Sequence, residues 1–324
     1  MNPIVFNPKN FIIGRYFNEC VFYTRASGWF IITWYGACGL VIELLLTGSL
    51  AFIMFSLGVS LKPQDFGVAF HQPKALIAGA IAQLLMLPII AFILLRIFGL
   101  QGEFALGVMI LSCCPGGITS SIVTKLSRGD VALSISYTAL ASLVTAATLP
   151  LVLSLTAPML MPKQDVGLSI LPLSLKVFAL ATLPVLLGVC IRQWIPKLAV
   201  RWQLPCSQLA NGLFVAVLIG VLIGQWDVFI SNLPLLGPVL LLLNLLMLTI
   251  GLVVGHLLRL KKPQITSLSV EAGFQNGTIG IVVGSLISEE LIQGGLSRFS
   301  LPSAVYSVLM LVTIIPFVLW RRSL

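Results

Sequence analysis

The chain is 324 residues long, 58% of them hydrophobic and 9% charged, against roughly 25% charged in a soluble domain. That composition excludes a soluble enzyme or binding domain and predicts an all-α polytopic membrane protein, because no hydrophilic stretch is long enough to fold separately. The formal net charge of +9 would suit nucleic acid, but the basic residues lie between or beside apolar segments, a topology signal, so no nucleic-acid partner is expected.

In chain order, residues 1–25 carry Lys9, Arg15, Glu19 and Arg25 without a cleavable signal pattern, and are expected to be cytoplasmic. Residues 26–61 form one apolar run, too long for one comfortable span and tight for two. Apolar segments follow at 74–98, 103–126, 131–157, 167–195, 208–229, 234–259, 265–288 and 301–320. The gaps alternate in charge. One set, with the C-terminal tail, holds twelve basic residues, among them Lys62, Lys125, Arg192, Lys261 and Arg322. The alternate set holds only Arg96, Lys163 and Arg298, so the first set is placed in the cytoplasm. A cytoplasmic N-terminus then requires two crossings before Lys62, the first near 20–41, and about ten transmembrane helices in all. Nine helices with the N-terminus outside is the alternative. The cysteines Cys20, Cys38, Cys113, Cys114, Cys190 and Cys206 show no CxxC spacing and read as small packing residues.

Two segments carry helix breakers at mid-span. Cys113-Cys114-Pro115-Gly116-Gly117 contains a proline, which removes a donor and clashes with the preceding turn, and two glycines. Glu271-Ala272-Gly273-Phe274-Gln275-Asn276-Gly277-Thr278 places a carboxylate and two amides in apolar surroundings, at an insertion cost of at least about 2.5 kcal/mol for the acid alone. Each is the second member of a three-segment group, 74–157 or 234–320, and five crossings separate the two groups, so the groups would be inverted repeats. Paired interrupted helices at corresponding positions are the sequence mark of a secondary transporter's binding site.

Broken ends expose carbonyls that can hold a cation and N–H groups that can receive an anion. Ser134, Thr138, Ser142 and Thr145 share one face of the 131–157 helix; Glu271 and Gln275 lie four apart; Gln83 sits in 74–98. One carboxylate among neutral oxygens suits a hard monovalent cation such as Na⁺. Other readings stand beside this one: Ser and Thr packing helix pairs or bonding their own backbone, Pro115 as a simple kink, and Glu271 paired with Lys176 or protonated.

Leu61-Lys62-Pro63-Gln64-Asp65-Phe66, Ile81-Ala82-Gln83, Cys113-Cys114-Pro115-Gly116-Gly117, Arg128-Gly129-Asp130-Val131-Ala132-Leu133-Ser134 and Glu271-Ala272-Gly273-Phe274-Gln275-Asn276 together resemble the bile acid:sodium symporter family, in order, from about residue 43 to 320. The resemblance implies two five-helix inverted repeats and two crossing broken helices. It implies a panel domain (26–73 and 158–233), a core domain (74–157 and 234–320) and a cytoplasmic tail at 321–324. It implies sodium-coupled uptake of an organic anion, bile acid-like or a small carboxylate such as a pantoate-like acid, across the cell membrane (the inner one in a bacterium). No organic cofactor and no obligate protein partner are expected. One sodium site would comprise Ser120, Ser121, Ser134, Thr138 and Glu271. The second would comprise Gln83, Glu271, Gln275 and the carbonyls of Ala272 and Phe274. The anion would lie near Gly117, Ile118, Thr119, Asn276 and Thr278. Two departures stand out. The family commonly has Ser-Asn at Ser120-Ser121, which puts the first sodium site and the ion count at issue. Met310-Leu311 is apolar where some relatives carry polar cavity residues, which puts bile acid as the substrate at issue. No HExxH and no pair of membrane aspartates is present, so an enzyme is not expected. A proton-coupled or passive carrier is the alternative to sodium coupling.

Overall fold

A computed structural model describes residues 30–61, 72–162, 170–224, 226–291 and 297–323. The chain falls into two units, 1–42 and 43–324. The first contributes only residues 30–42 to the description, as the start of helix α1 (Phe30–Ser60). The helices of the second are α2 (Pro73–Ile97), α3 (Glu103–Ser112), α4 (Ile118–Leu126), α5 (Val131–Leu160), α6 (Ile170–Val177, continuing through Leu183–Trp194), α7 (Pro196–Gly224), α8 (Trp226–Leu257), α9 (Lys262–Gly273), α10 (Gly277–Leu291) and α11 (Leu301–Ser323). The described residues contain no strand.

Six of these helices are long and apolar enough to cross a membrane: α2, α5, α6, α7, α8 and α11. α2 shows why. Ile77, Ile81, Leu85, Ile89, Ile93 and Ile97 form an exposed stripe at four-residue spacing, while Ala75, Ala78, Ala82 and Ala91 are buried. A helix that is apolar on its exposed face as well as its buried one belongs in lipid. The protein is an integral membrane protein.

Both expected breaks are present, between α3 and α4 and between α9 and α10. The order long helix, broken pair, long helix occurs twice, as α2–α5 and α8–α11. The N-terminal region differs from expectation. One helix runs from Phe30 to Ser60 where two crossings were expected; at 1.5 Å per residue it is about 46 Å long, more than one span and less than two. The crossing expected near 20–41 overlaps this helix and begins outside the described residues. Helix α7 starts at Pro196, well before the expected 208, because proline suits a helix's first position.

Two π turns were not foreseen, Ala82–Met86 in α2 and Phe178–Thr182 in α6. Each is followed by Leu-Pro, at Leu87-Pro88 and Leu183-Pro184. A proline cannot donate and its ring crowds the carbonyl four residues back, so the preceding turn widens.

The site helices are aligned at their N-terminal ends. Asp130 Oδ1 caps α5 by accepting from Leu133 N at 3.1 Å. Its own N–H donates to Pro263 O at 3.1 Å, and its carbonyl accepts from Ser267 Oγ at 2.8 Å. Gln72 Nε2 donates to Asp130 Oδ2 at 3.0 Å, and Gln264 Nε2 to Gln72 Oε1 at 2.7 Å. α5 and α9 therefore start side by side. The face of α5 that begins at Asp130 continues through Ser134 and Thr138, and the face of α9 that carries Ser267 continues to Glu271. Gly251 of α8 allows α9 to approach, since a Cβ there would overlap Ser269 Cα.

Candidate functional site

The two breaks touch. The N–H of Asn276 donates to the carbonyl of Pro115 at 2.8 Å, so each interruption supplies a backbone partner that the other lacks.

Glu271 stands at the end of α9 with 1% of its surface exposed. Its Oε1 lies 2.7 Å from Ser120 Oγ on α4 and 2.6 Å from Ser134 Oγ on α5. Thr138 Oγ1 on α5 donates to Oε2 at 2.9 Å. Ser121 Oγ is 3.2 Å from Ser134 Oγ. The five residues expected at the first sodium site thus form one contiguous cluster from three helices. Ser120 Oγ is also 2.6 Å from Gly117 O, so one proton serves two acceptors. Each hydroxyl also carries lone pairs, and rotating the O–H bond turns it from a donor to the carboxylate into an oxygen ligand for a cation. Gly116 shapes the floor of the cluster: a Cβ there would overlap Glu271 Oε2 and stand 3.1 Å from both Ser120 Oγ and Thr138 Oγ1.

The second expected set is also adjacent. Gln83, in the π turn of α2, is 3% exposed. Its Nε2 approaches Gln275 Oε1 at 3.4 Å. Gln275 Nε2 donates to Ala272 O at 2.8 Å and approaches Glu271 O at 3.4 Å. Phe274 follows α9 with φ −111° and ψ 107°, an extended residue. A cation would require both amides to turn their oxygens inward.

Gly117, Thr119, Asn276 and Thr278 line one narrow cavity with Gln275, together with Ile53 of α1 and Ala210, Asn211 and Phe214 of α7. Ile118 is the first residue of α4; its side chain lies outside the described residues. The cavity's volume of about 20 Å³ is room for one water. The half-helices that start at the breaks differ. Asn276 Oδ1 accepts from Thr278 N at 3.1 Å and Ile279 N at 3.3 Å, capping α10 with its own side chain. Gly117 precedes α4 in extended conformation with no side-chain cap. Thr278 Oγ1 is buried without a hydrogen-bond partner.

The rest of the polar stripe on α5 has a different use. Ser142 Oγ donates to Thr138 O at 2.7 Å, and Thr145 Oγ1 lies 2.7 Å from Ala141 O and 3.2 Å from Cys113 O. Both are turned to backbone, one of them across to the α3 end of the break. Met310 is buried and Leu311 is 41% exposed. Sequence reasoning missed Asn211 and Asn244. Each is an amide flanked by apolar residues in a long apolar helix, which is itself a signal of function or of interhelical bonding.

Residues 47–225 match the model of the Sodium Bile acid symporter family. The chain is 28% identical to the uncharacterized sodium-dependent transporter YocS of Bacillus subtilis (strain 168), over 80% of this chain and 77% of that protein. It is 32% identical to the probable chloroplastic sodium/metabolite cotransporter BASS1 of Arabidopsis thaliana, over 73% of this chain and 58% of that one. It is 29% identical to the sodium-dependent organic anion transporter of Homo sapiens, over 80% and 69%. The chain thus spans less than two thirds of the plant relative's length.

Proposed function

The chain belongs to the sodium bile acid symporter family, and from that premise we propose that it is a secondary active transporter, coupling inward sodium movement to uptake of an organic anion. The observation that carries this reading is the buried carboxylate of Glu271 ringed by Ser120, Ser134 and Thr138 at the contact of two broken helices.

A lone buried carboxylate is costly, and a monovalent cation beside it neutralises the site. Sodium would enter with the hydroxyls of Ser120, Ser121, Ser134 and Thr138 turning their lone pairs to it. A second ion would use Gln83, Gln275, Glu271 and the carbonyls of Ala272 and Phe274. The anion's acidic group would meet the uncapped N-terminus of α4, at the N–H groups of Ile118 and Thr119, with the Thr278 hydroxyl as a further donor. Two inverted repeats and a panel of α1, α6 and α7 packed on the remaining core helices would supply the moving parts. The narrowness of the cavity between Ile53, Phe214 and the breaks supports this, because an organic anion enters only when panel and core separate. Ten helices, the first near residues 20–41, would put both termini in the cytoplasm.

Reconstituted vesicles test the reading. An inward sodium gradient should drive uptake of labelled small carboxylates or bile acids against a potassium control. Uptake that follows a proton gradient and ignores sodium would establish the proton-coupled alternative. Thr278→Val should raise the anion's KM about fivefold, the worth of one hydrogen bond, and leave the sodium dependence unchanged. An unaltered KM would remove Thr278 from the anion site.

A further inference from the structure

The carbonyl of Gly273, the last residue of α9, is engaged from two other helices. Asn244 Nδ2 on α8 donates to it at 2.7 Å, and Tyr306 Oη on α11 donates to it at 2.8 Å. Asn244 Nδ2 also reaches Tyr306 Oη at 3.0 Å, and Thr313 Oγ1 on α11 donates to Asn244 Oδ1 at 2.6 Å. Asn244 and Tyr306 are fully buried. Every donor is used: both amide hydrogens, the phenol hydrogen and the threonine hydrogen each have an acceptor, the last with Leu309 O and Met310 O also at 3.1 Å.

Two consequences follow from these bonds. A carbonyl has two lone pairs, and both of those on Gly273 are taken, so this oxygen is not a cation ligand. The peptide unit Gly273–Phe274 is also held at its other side, where Phe274 N donates to Val270 O at 2.8 Å. The peptide unit Gln275–Asn276 is held by Asn276 N on Pro115 O. Between these two anchored units lies one peptide, whose carbonyl belongs to Phe274 and from which the Gln275 side chain springs. Its orientation is constrained by the anchors on either side. One anchor is the other break; the other is the triad on α8 and α11.

We infer that Asn244, Tyr306 and Thr313 are positioning residues that set the aim of the Phe274 carbonyl and Gln275, and so the affinity of the second ion, from helices that do not themselves touch it. The inference rests on the sodium-coupled reading above.

The test titrates purified full-length protein with NaCl, against choline chloride at constant ionic strength, and reads the thermal midpoint; specific binding to the folded state raises it. Tyr306→Phe and Thr313→Val are close to isosteric, and each removes a single hydroxyl. Each should raise the half-saturating sodium concentration about fivefold. Variants that melt earlier in choline yet keep the wild-type half-saturating sodium concentration would show a merely structural triad and overturn the inference. If Tyr306→Phe does not fold, Thr313→Val decides alone. Wild-type protein with no sodium-specific stabilisation would defeat sodium coupling itself, and this inference with it. Wild type stabilised and both variants unshifted would defeat only the triad.

Discussion

Glu271→Gln is expected to lower apparent sodium affinity by about 100- to 1000-fold, the equivalent of removing one partner from a buried charge pair, and to abolish gradient-driven uptake at ordinary sodium concentrations. The substitution is chosen for its shape. Ser120, Ser134 and Thr138 all direct hydroxyls at the carboxylate. Alanine would take the carboxylate from three buried hydroxyls, leaving Ser120 its bond to Gly117 O and Ser134 its neighbour Ser121 but costing Thr138 its acceptor at about 1–3 kcal/mol, and would confuse misfolding with lost ion binding. Glutamine keeps one oxygen as acceptor for Ser120 and Ser134, puts an NH2 where Thr138 must turn its lone pair to accept, and removes the charge while nearly keeping the shape. The charge is what a monovalent cation needs here: among the described residues no cluster of three or more His, Cys, Asp or Glu side chains is present to replace it. Uptake by the variant, measured in vesicles against external sodium, should be flat at the background level. A wild-type sodium curve in Glu271→Gln would end the case for this carboxylate as the coupling group.

A methyl group at Gly116 should be nearly as damaging. The Cβ of Gly116→Ala would overlap Glu271 Oε2 and crowd Ser120 Oγ and Thr138 Oγ1 at 3.1 Å. Either the carboxylate leaves Thr138 or the break shifts, and overpacking of this kind costs about 1–3 kcal/mol. The protein should still fold, with sodium-driven uptake reduced about 5- to 150-fold, since 1.4 kcal/mol is a factor of ten. The neighbouring glycine is the control. A Cβ at Gly117 would meet nothing closer than Asn276 Nδ2 at 3.5 Å, and its φ of −134° is open to any residue. Gly117→Ala should therefore keep the wild-type sodium dependence, whatever it does to anion affinity. Equal loss of sodium dependence in both variants would point to flexibility of the break, and the collision with the carboxylate would be refuted.

Much of this site is visible in the chain before any coordinates. Pro115 with Gly116-Gly117, and the polar run from Glu271 to Thr278, locate both interruptions, because breakers and polar groups in an apolar span have few other uses. The four-residue spacing of Ser134 and Thr138 puts them on one face. Ser142 and Thr145 obey the same periodicity, yet their hydroxyls turn to backbone. Spacing assigns a face and says nothing of what stands opposite it. The π turn that holds Gln83 and the double engagement of the Gly273 carbonyl were not foreseen. The first depends on how a widened turn is accommodated by neighbouring helices, the second on residues 29 and 33 positions away. Asn276 was expected beside the anion and is also the cap of its own helix, a local role that its position before Gly277 permitted.

By itself the sequence determined that this protein lives in lipid, that two of its helices are interrupted, and that one acid sits at an interruption. These follow from composition and from the backbone chemistry of proline and glycine, which act over a few residues. Only the tertiary structure decided that the two interruptions meet, that Glu271 faces Ser120, Ser134 and Thr138 at once, and that α8 and α11 hold the adjoining carbonyl. Those are contacts between groups 29 to 161 residues apart. They exist because buried polar groups in a membrane must find partners within the protein, and packing alone selects which.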